Sequence, residues 1–156
     1  MDLREQLQTE TVADVGFREP VTIGLDASVR EAVDVMQRNK VGCVLVVDDV
    51  GALRGIFTER NLVVRVHAAG GPIDGPVAQF MTPDPKTCRK DDPIHAALGK
   101  MNQGGFRHLP VVDGDGKLIG SMSVKRAVHF ITDHLPAAVL NVPPDPDNIP
   151  ATQEGG

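Results

Sequence analysis

Aromatic residues are scarce in this chain. It has no Trp, no Tyr and five Phe, so aromatic residues make up 3% of its 156 positions. Proteins that hold single-stranded nucleic acids stack the bases on aromatic side chains, and this chain offers few. Its formal net charge is −5, and its basic residues do not cluster along the sequence. We therefore expect no nucleic-acid partner.

Long apolar segments are also missing. The longest, Val41–Val47, is far shorter than the ~20 residues that a membrane helix requires. The segment Met1–Glu5 lacks the basic and apolar regions of a signal peptide. These absences predict a cytoplasmic protein that does not associate with a membrane.

Cysteine and the usual catalytic motifs contribute little. Cys43 and Cys88 are the only cysteines, and each falls in a predicted strand, which is typical of a buried, reduced thiol. A disulfide or a metal pair is the alternative, but without a Cys-x-x-Cys spacing it has weak support. The five His residues are scattered, and no nucleophile elbow, zinc-protease helix or phosphate-binding loop occurs. We expect no metal site and no enzyme.

What the sequence does contain is an internal repeat with a constant offset of 65 residues. Pro20–Ile23 recurs as Pro85–Cys88, and the 52 aligned positions from Val12 to Val63 include 14 identities. A repeat of this length is a folding unit used twice. A unit of about 60 residues is marginal alone, so we expect the two copies to share one core. A cleft between such copies is a common place for a ligand.

Each repeat has the pattern strand, helix, strand, strand, helix. Ser28–Glu31 has the sequence of a capping box, and Asp92 followed by Pro93 predicts the start of the equivalent helix. Thr58 and Ser123 are expected to cap the second helix of each repeat. The first two strands of a repeat are joined through a helix and should be parallel, whereas the next two should form an antiparallel hairpin. The prediction is a mixed α/β (α+β) fold.

The composition suggests five segments. The predicted boundaries are a lead-in at 1–10, a first repeat at 11–67, a Gly/Pro linker at 68–75, a second repeat at 76–135 and a Pro-rich tail at 136–156. The tail has few large apolar residues, which predicts a flexible or peripheral segment. Docking of the tail against a partner subunit is the alternative.

Two short motifs could bind a ligand. Thr58 lies where a strand ends and a helix begins, so its hydroxyl and the first helical amides could hold a phosphate, with Arg60 adding charge. Asn61, one turn further, has a donor and an acceptor for a sugar diol. In the second repeat, Arg107 suits a phosphate, and His108 could donate a hydrogen bond. Alternatively, Thr58 is only a cap, Arg107 pairs with an acid and His108 packs at a strand start.

The segments Lys40–Asp48, Gly55–Asn61 and Phe106–Asp113 together resemble a tandem pair of cystathionine-β-synthase (CBS) domains, a Bateman module. This resemblance implies two β-α-β-β-α repeats packed sheet to sheet with pseudo-twofold symmetry. In similar modules the clefts bind adenine nucleotides (AMP, ADP or ATP) or S-adenosylmethionine. The residues that the resemblance implies for such a site are Thr22 and Val44 at the adenine, Thr58 at the phosphate, Asn61 at the ribose, and Arg60, Arg107, His108 and Pro110 nearby.

The second cleft, with Thr87, Ser123 and Arg126, is expected to differ from the first. Arg126 stands where the family pattern has the ribose-binding acid. Arg has no acceptor, so it cannot replace a carboxylate towards a diol. It could instead hold a phosphate or pair with Asp91 or Asp113. We therefore expect one nucleotide site, centred on Thr58 and Asn61.

The resemblance implies a regulatory sensor that needs no cofactor, forms a homodimer and modulates a protein partner when a nucleotide binds. The alternative is a ligand-free dimeric scaffold for a separately encoded enzyme or transporter.

Overall fold

The computed structural model describes residues 3–134, and these form two sheets with helices packed around them. The strands are β1 (Thr22–Gly24), β2 (Cys43–Val47), β3 (Leu53–Thr58), β4 (Thr82–Pro83), β5 (Cys88–Arg89), β6 (His108–Val112) and β7 (Leu118–Ser123). The helices are α1 (Leu3–Thr9), α2 (Val12–Val15), α3 (Val29–Asn39), α4 (Glu59–Asn61), α5 (Ile94–Gly104) and α6 (Val124–His134). Helix α4 continues as a π-helical segment, Leu62–His67, and a 3₁₀ turn covers Val77–Gln79.

The two sheets have the same internal order. In the first sheet the order is β1-β2-β3-β4, and in the second it is β5-β6-β7. Strands β1 and β2 are parallel, as are β5 and β6, whereas β2–β3 and β6–β7 are antiparallel. This confirms the parallel and antiparallel pairings predicted for each repeat. The fold class predicted from the sequence, mixed α and β with two sheets, is also confirmed.

The residues that precede the first strand of each repeat, 3–21 before β1 and 76–87 before β5, are called its lead-in from here on, and each lead-in packs on the other repeat. Val12 and Val15 of α2 belong to the core of the second repeat, whereas Val77 belongs to the core of the first. Strand β4 belongs to the second repeat in sequence, yet it extends the first sheet by pairing with β3. Arg18 in turn exchanges two backbone hydrogen bonds of 3.0 Å with Ser121 of β7.

The expectation of one shared core is therefore wrong in detail. The described residues form a separate core within each repeat, and each core is completed by the lead-in of the other. A third, small cluster of Cys43, Leu45 and Ile56, with Leu118 against it, lies where the sheets meet. The exchange of lead-ins makes each repeat depend on the other, which is how a small unit avoids being marginal alone.

Three of the four predicted helix starts, at Ser28, Thr58 and Ser123, are confirmed. Ser28 Oγ accepts from Glu31 N at 3.1 Å, and Glu31 Oε2 accepts from Ser28 N at 3.0 Å, which is the predicted capping box. The start of α5 differs. Asp92 Oδ2 accepts from Arg89 N at 2.8 Å within a turn, and Ile94 N donates to the carbonyl of Glu10 at 2.8 Å. A backbone oxygen from the lead-in thus replaces the predicted Asp92 cap.

Both cysteines are buried and unpaired, as predicted. None of the helices in residues 3–134 is long and apolar enough to cross a membrane. No group of three or more His, Cys, Asp or Glu side chains in the same range could hold a metal ion. The predicted tail, 136–156, lies outside the described residues.

Candidate functional site

Two cavities lie where the repeats meet. Cavity A, of about 740 Å³, contains the Thr58 motif, and cavity B, of about 700 Å³, contains the Ser123 motif. Four residues, Gly42, Glu59, Arg107 and His108, line both cavities. The cavities are thus separated by a wall of shared side chains, and a ligand in either one meets residues of both repeats.

Thr58 and Asn61 form a closed hydrogen-bonded pair in cavity A. Asn61 N donates to Thr58 Oγ1 at 3.2 Å, and Thr58 N donates to Asn61 Oδ1 at 3.0 Å. Asn61 is only 7% exposed, which is unusual for a polar residue. Because its amide oxygen already accepts from the backbone, the amide nitrogen is the group left to donate to a ligand.

The helix start at Thr58 is less open than the sequence predicted. Glu59 N donates to the carbonyl of Gly42 at 3.1 Å, and Asn61 N is held by Thr58. In the described part of the chain, this leaves the amide of Arg60 for an acceptor from outside the protein. The expectation of several unpaired amides at this point is wrong, because the neighbouring strand β2 begins close enough to supply a carbonyl.

The opposite wall of cavity A comes from the second repeat and its lead-in. Thr82, Pro85 and Lys86 line it beside β4, and Gly105–His108 line it at the start of β6. Arg65 fixes the lead-in by donating from Nη1 to the carbonyl of Met81 at 2.7 Å. The cavity therefore combines a hydroxyl and an amide from the first repeat with cationic side chains from the second.

His108 lies in the wall between the cavities. Burial lowers the pKa of His108 below its ordinary value; the nearby Glu59 carboxylate opposes this shift, and the Arg107 guanidinium adds to it. A Cβ placed on Gly42 would lie 3.6 Å from both the Glu59 side chain and His108 Cε1, at ordinary van der Waals distance, so these two side chains flank Gly42. His108 in its neutral form can donate one hydrogen bond and accept another.

Cavity B has the equivalent geometry with different side chains. Arg126 N donates to Ser123 Oγ at 3.1 Å, and Val124 N donates to the carbonyl of Arg107 at 2.9 Å. The Arg126 side chain is exposed and lies beside Gly16, where a Cβ would be 3.4 Å from Nη2. Arg126 does not pair with Asp91 or Asp113, since the ion pairs within residues 3–134 are Arg30–Asp74 and Arg54–Asp48.

One residue of cavity B is a thiol. Cys43 lies at the start of β2, 6% exposed, and lines this cavity. Burial raises the pKa of Cys43 to about 11, although the Ser121 hydroxyl and the charge of Arg18 act in the opposite direction. The thiol is therefore protonated near neutral pH and is a poor nucleophile.

The structure brings together part of the predicted site. Thr58, Arg60, Asn61, Arg107 and His108 all line cavity A, and Ser123 and Arg126 line cavity B. The remaining predicted residues, Thr22, Val44, Thr87 and Pro110, line neither of these cavities.

Each of the four residues outside the cavities has a definite place. Val44 is fully buried in the core of the first repeat, and Pro110 is fully buried in β6. Thr22 is exposed on β1, and the carbonyl of Thr87 accepts from Lys100 Nζ at 2.7 Å. In β2, Val44 lies with the helix-covered core, while its neighbours Cys43 and Leu45 lie in the cluster between the sheets. Strand alternation therefore directs the Val44 side chain away from the cavities.

The sequence reasoning missed Thr82, Pro85 and Lys86 of cavity A and Arg18 of cavity B. No local motif marks these residues, because they lie in lead-ins that pack on the opposite repeat.

The CBS domain family model matches residues 12–68 and 77–133, which together are most of the chain. The chain belongs to the CBS-domain family. The two matches coincide with the two structural repeats and confirm the resemblance inferred from the sequence.

Two curated proteins resemble this chain over most of its length. It is 31% identical over 122 residues to an uncharacterized 17.7 kDa protein of Acidianus ambivalens, covering 78% of this chain and 73% of that protein. It is 36% identical over 132 residues to the meiotically up-regulated gene 70 protein of Schizosaccharomyces pombe, covering 84% of this chain but only 17% of that longer protein.

A solved structure shares the arrangement. The CBS domain protein PAE2072 from Pyrobaculum aerophilum, determined in complex with AMP, superimposes with a TM-score of 0.74 at 26% identity. The match covers 84% of this chain and 99% of that one.

Proposed function

We propose that this CBS-domain protein is a regulatory module that binds an adenine nucleotide in cavity A. The observation that carries the proposal is the composition of the cavity. A helix-start hydroxyl and amide, at Thr58 and Arg60, face a space that Lys86 and Arg107 also line. These groups suit a phosphate, and the AMP complex of PAE2072 supplies the nucleotide class.

Such binding would connect the two repeats. The phosphate would meet Thr58 and Arg60 on one side and Lys86 and Arg107 on the other, while Asn61 Nδ2 would donate to a ribose hydroxyl. A ligand that holds both walls stabilises the arrangement in which the walls face each other. At 100 times its dissociation constant it would stabilise the folded state by about 2.7 kcal/mol. This is the physical means by which occupancy could change the surface offered to a partner.

The test is calorimetric titration of the full chain with AMP, ADP, ATP and S-adenosylmethionine, with melting temperatures measured alongside. We expect at least one of these ligands to bind. Thr58→Ala should weaken the affinity for that ligand by roughly tenfold, whereas Thr58→Ser should retain the affinity. Arg38→Ala, at an exposed arginine of α3 that lines neither cavity, is the matched control. If none of the four ligands binds or raises the melting temperature at millimolar concentration, the nucleotide proposal is wrong.

We further propose a homodimer formed through the helices that follow the two motifs. Val63 and Val128 occupy equivalent positions in the repeats, and their side chains are 58% and 54% exposed. Paired exposed valines at equivalent positions favour an interface between copies. Sedimentation equilibrium should show a dimer that Val63→Glu with Val128→Glu dissociates, whereas Val50→Glu, at an exposed turn residue, leaves it intact. A wild-type monomer at every concentration would contradict this.

A ligand-free scaffold is the second candidate, and one observation favours it. Thr58 and Asn61 satisfy each other's backbone amides, so this helix start needs no ligand to be stable. In that case a dimer would retain a protein partner in a pull-down after Thr58→Ala, and added AMP would not change the amount retained.

A further inference from the structure

Cavity B is strongly basic in a protein that is acidic as a whole. Its lining includes the five cationic side chains of Arg18, Lys40, Arg107, Lys125 and Arg126. Two carboxylates, Glu19 and Glu59, line the same space, and the whole chain carries a formal charge of −5. Like charges gathered around one space repel each other, so such a cluster is stabilised when an anion enters it.

These cations are not neutralised by ion pairs. Within residues 3–134 the side-chain ion pairs join Arg30 to Asp74 and Arg54 to Asp48, and none of the five lining cations takes part. Their donors are therefore available to a ligand. Arg18 is also held in place, because its backbone forms two hydrogen bonds of 3.0 Å with Ser121 of β7.

Arg126 sets the chemical preference of the cavity. It is equivalent to Asn61 by the 65-residue offset, and it carries five N–H donors and no acceptor. At the position where cavity A has an amide, cavity B has a guanidinium fork suited to two oxygens of a phosphate. The amide of Lys125, at the start of the 11-residue helix α6, faces the same anion-favouring end of the helix.

We infer that cavity B is a second ligand site, which takes a multiply charged phosphate group such as diphosphate or triphosphate and makes no use of a ribose. The terminal oxygens would be held by Arg126 and Lys125 from α6 and by Arg18 from the first lead-in. Affinity should rise from phosphate to diphosphate to triphosphate and fall with added salt, because charge supplies most of the attraction. Arg107 lines both cavities, but this inference depends on Arg18, Lys125 and Arg126, which line cavity B and not cavity A.

The experiment is calorimetric titration of the full chain with sodium diphosphate and triphosphate, at low and at physiological salt. Arg126→Asn introduces the residue type of cavity A and should weaken triphosphate binding by roughly tenfold or more. Lys125→Gln should act in the same direction with a smaller effect. Both side chains are exposed and lack ion pairs, and unchanged melting temperatures would show that the variants fold.

Two controls separate this site from cavity A. Lys86→Gln alters cavity A alone and should leave triphosphate binding unchanged. Arg38→Gln removes an exposed arginine elsewhere and should also have no effect. The inference is overturned if triphosphate does not bind at millimolar concentration, if Lys86→Gln abolishes binding and Arg126→Asn does not, or if AMP binds cavity B as tightly as triphosphate. Loss of AMP binding alone would contradict the nucleotide proposal and leave this one standing.

Discussion

Cavity A and cavity B are built from equivalent strands and helix starts, yet the side chains of their motifs differ, and the change that matters most chemically is from Asn61 to Arg126. In cavity A, the hydroxyl of Thr58 and the amide oxygen of Asn61 each accept a backbone hydrogen bond from the other residue. In cavity B, Ser123 accepts from Arg126 N, but Arg126 has no acceptor with which to complete the pair. Its side chain is exposed instead and lies beside Gly16. Under the two proposals above, equivalent backbone positions would hold the two ligands, and the side chain at residue 61 or 126 would decide which ligand each cavity favours.

The largest effects should come from the cores, which the two repeats complete for each other. Phe57→Ala and Met122→Ala remove fully buried side chains at equivalent positions. We expect losses of about 3–5 and about 2–5 kcal/mol in the free energy of unfolding, respectively. Because the lead-ins are exchanged, either variant should destabilise the whole chain in one transition. Urea denaturation followed by hydrogen exchange would check this, and independent unfolding of one repeat would contradict it.

Carboxylates placed at Asn61 and at its equivalent, Arg126, would sharpen the comparison of ligands. Asn61→Asp keeps an acceptor for Thr58 N and adds a second, charged oxygen towards a ribose, so AMP affinity should rise by up to roughly tenfold. Arg126→Asp should create an acceptor in cavity B and change the AMP stoichiometry from one to two per chain. Calorimetry measures both values. Two equal AMP sites in the wild-type protein would contradict the expected difference in ligand preference between the cavities.

Removing the helix cap should lower the stability equally in the two repeats, but it should lower the affinity for AMP in the first repeat only. Thr58→Ala and Ser123→Ala each remove a hydroxyl that accepts the N3 amide of a helix, at 3.2 and 3.1 Å. Each should cost about 1 kcal/mol of unfolding free energy. Only Thr58→Ala should also weaken the binding of AMP. Thr58→Ser and Ser123→Thr keep the hydroxyls and serve as controls in thermal unfolding and titration.

The smallest effect concerns the wall between the cavities. Burial lowers the pKa of His108, so as pH falls through about 6.5 the unfolded chain takes up a proton before the folded chain does. Stability should therefore decrease as pH falls from about 6.5 towards the lower, folded-state pKa. His108→Asn should reduce this decrease, and the exposed His67→Asn should not. Unfolding free energies measured at several pH values would test it; an equal slope in His108→Asn would contradict it.

Much of the local structure could be predicted from the residues. The capping box at Ser28 and Glu31 depends on side chains three positions apart, which a sequence displays directly. The turns at Asp48 and Asp113 likewise use a carboxylate that accepts from amides two and four residues on. The start of α5 could not be predicted in this way, since the carbonyl of Glu10, 84 positions earlier, replaces the cap.

The candidate site shows the same difference between features set by neighbouring residues and features set by residues far apart in the chain. Thr58, Asn61, Arg107 and His108, which line cavity A, could be predicted because each belongs to a recognisable local motif. Lys86 and Arg18 could not, because they lie in lead-ins whose partner strands belong to the other repeat. The family resemblance implied that Val44 contacts the adenine. In the structure, strand alternation directs the Val44 side chain into the core of the first repeat.

The sequence by itself determined the duplicated unit, its strand and helix order, its caps and turns, and the contrast between Asn61 and Arg126. These features follow from short-range spacing and from an offset that can be counted. Tertiary structure alone decided that each lead-in completes the opposite core, that Val44 faces away from the cavities, and that basic residues scattered along the chain surround common spaces. The physical reason is that cavities and cores are made by packing, which joins residues far apart in the chain and is invisible to local pattern.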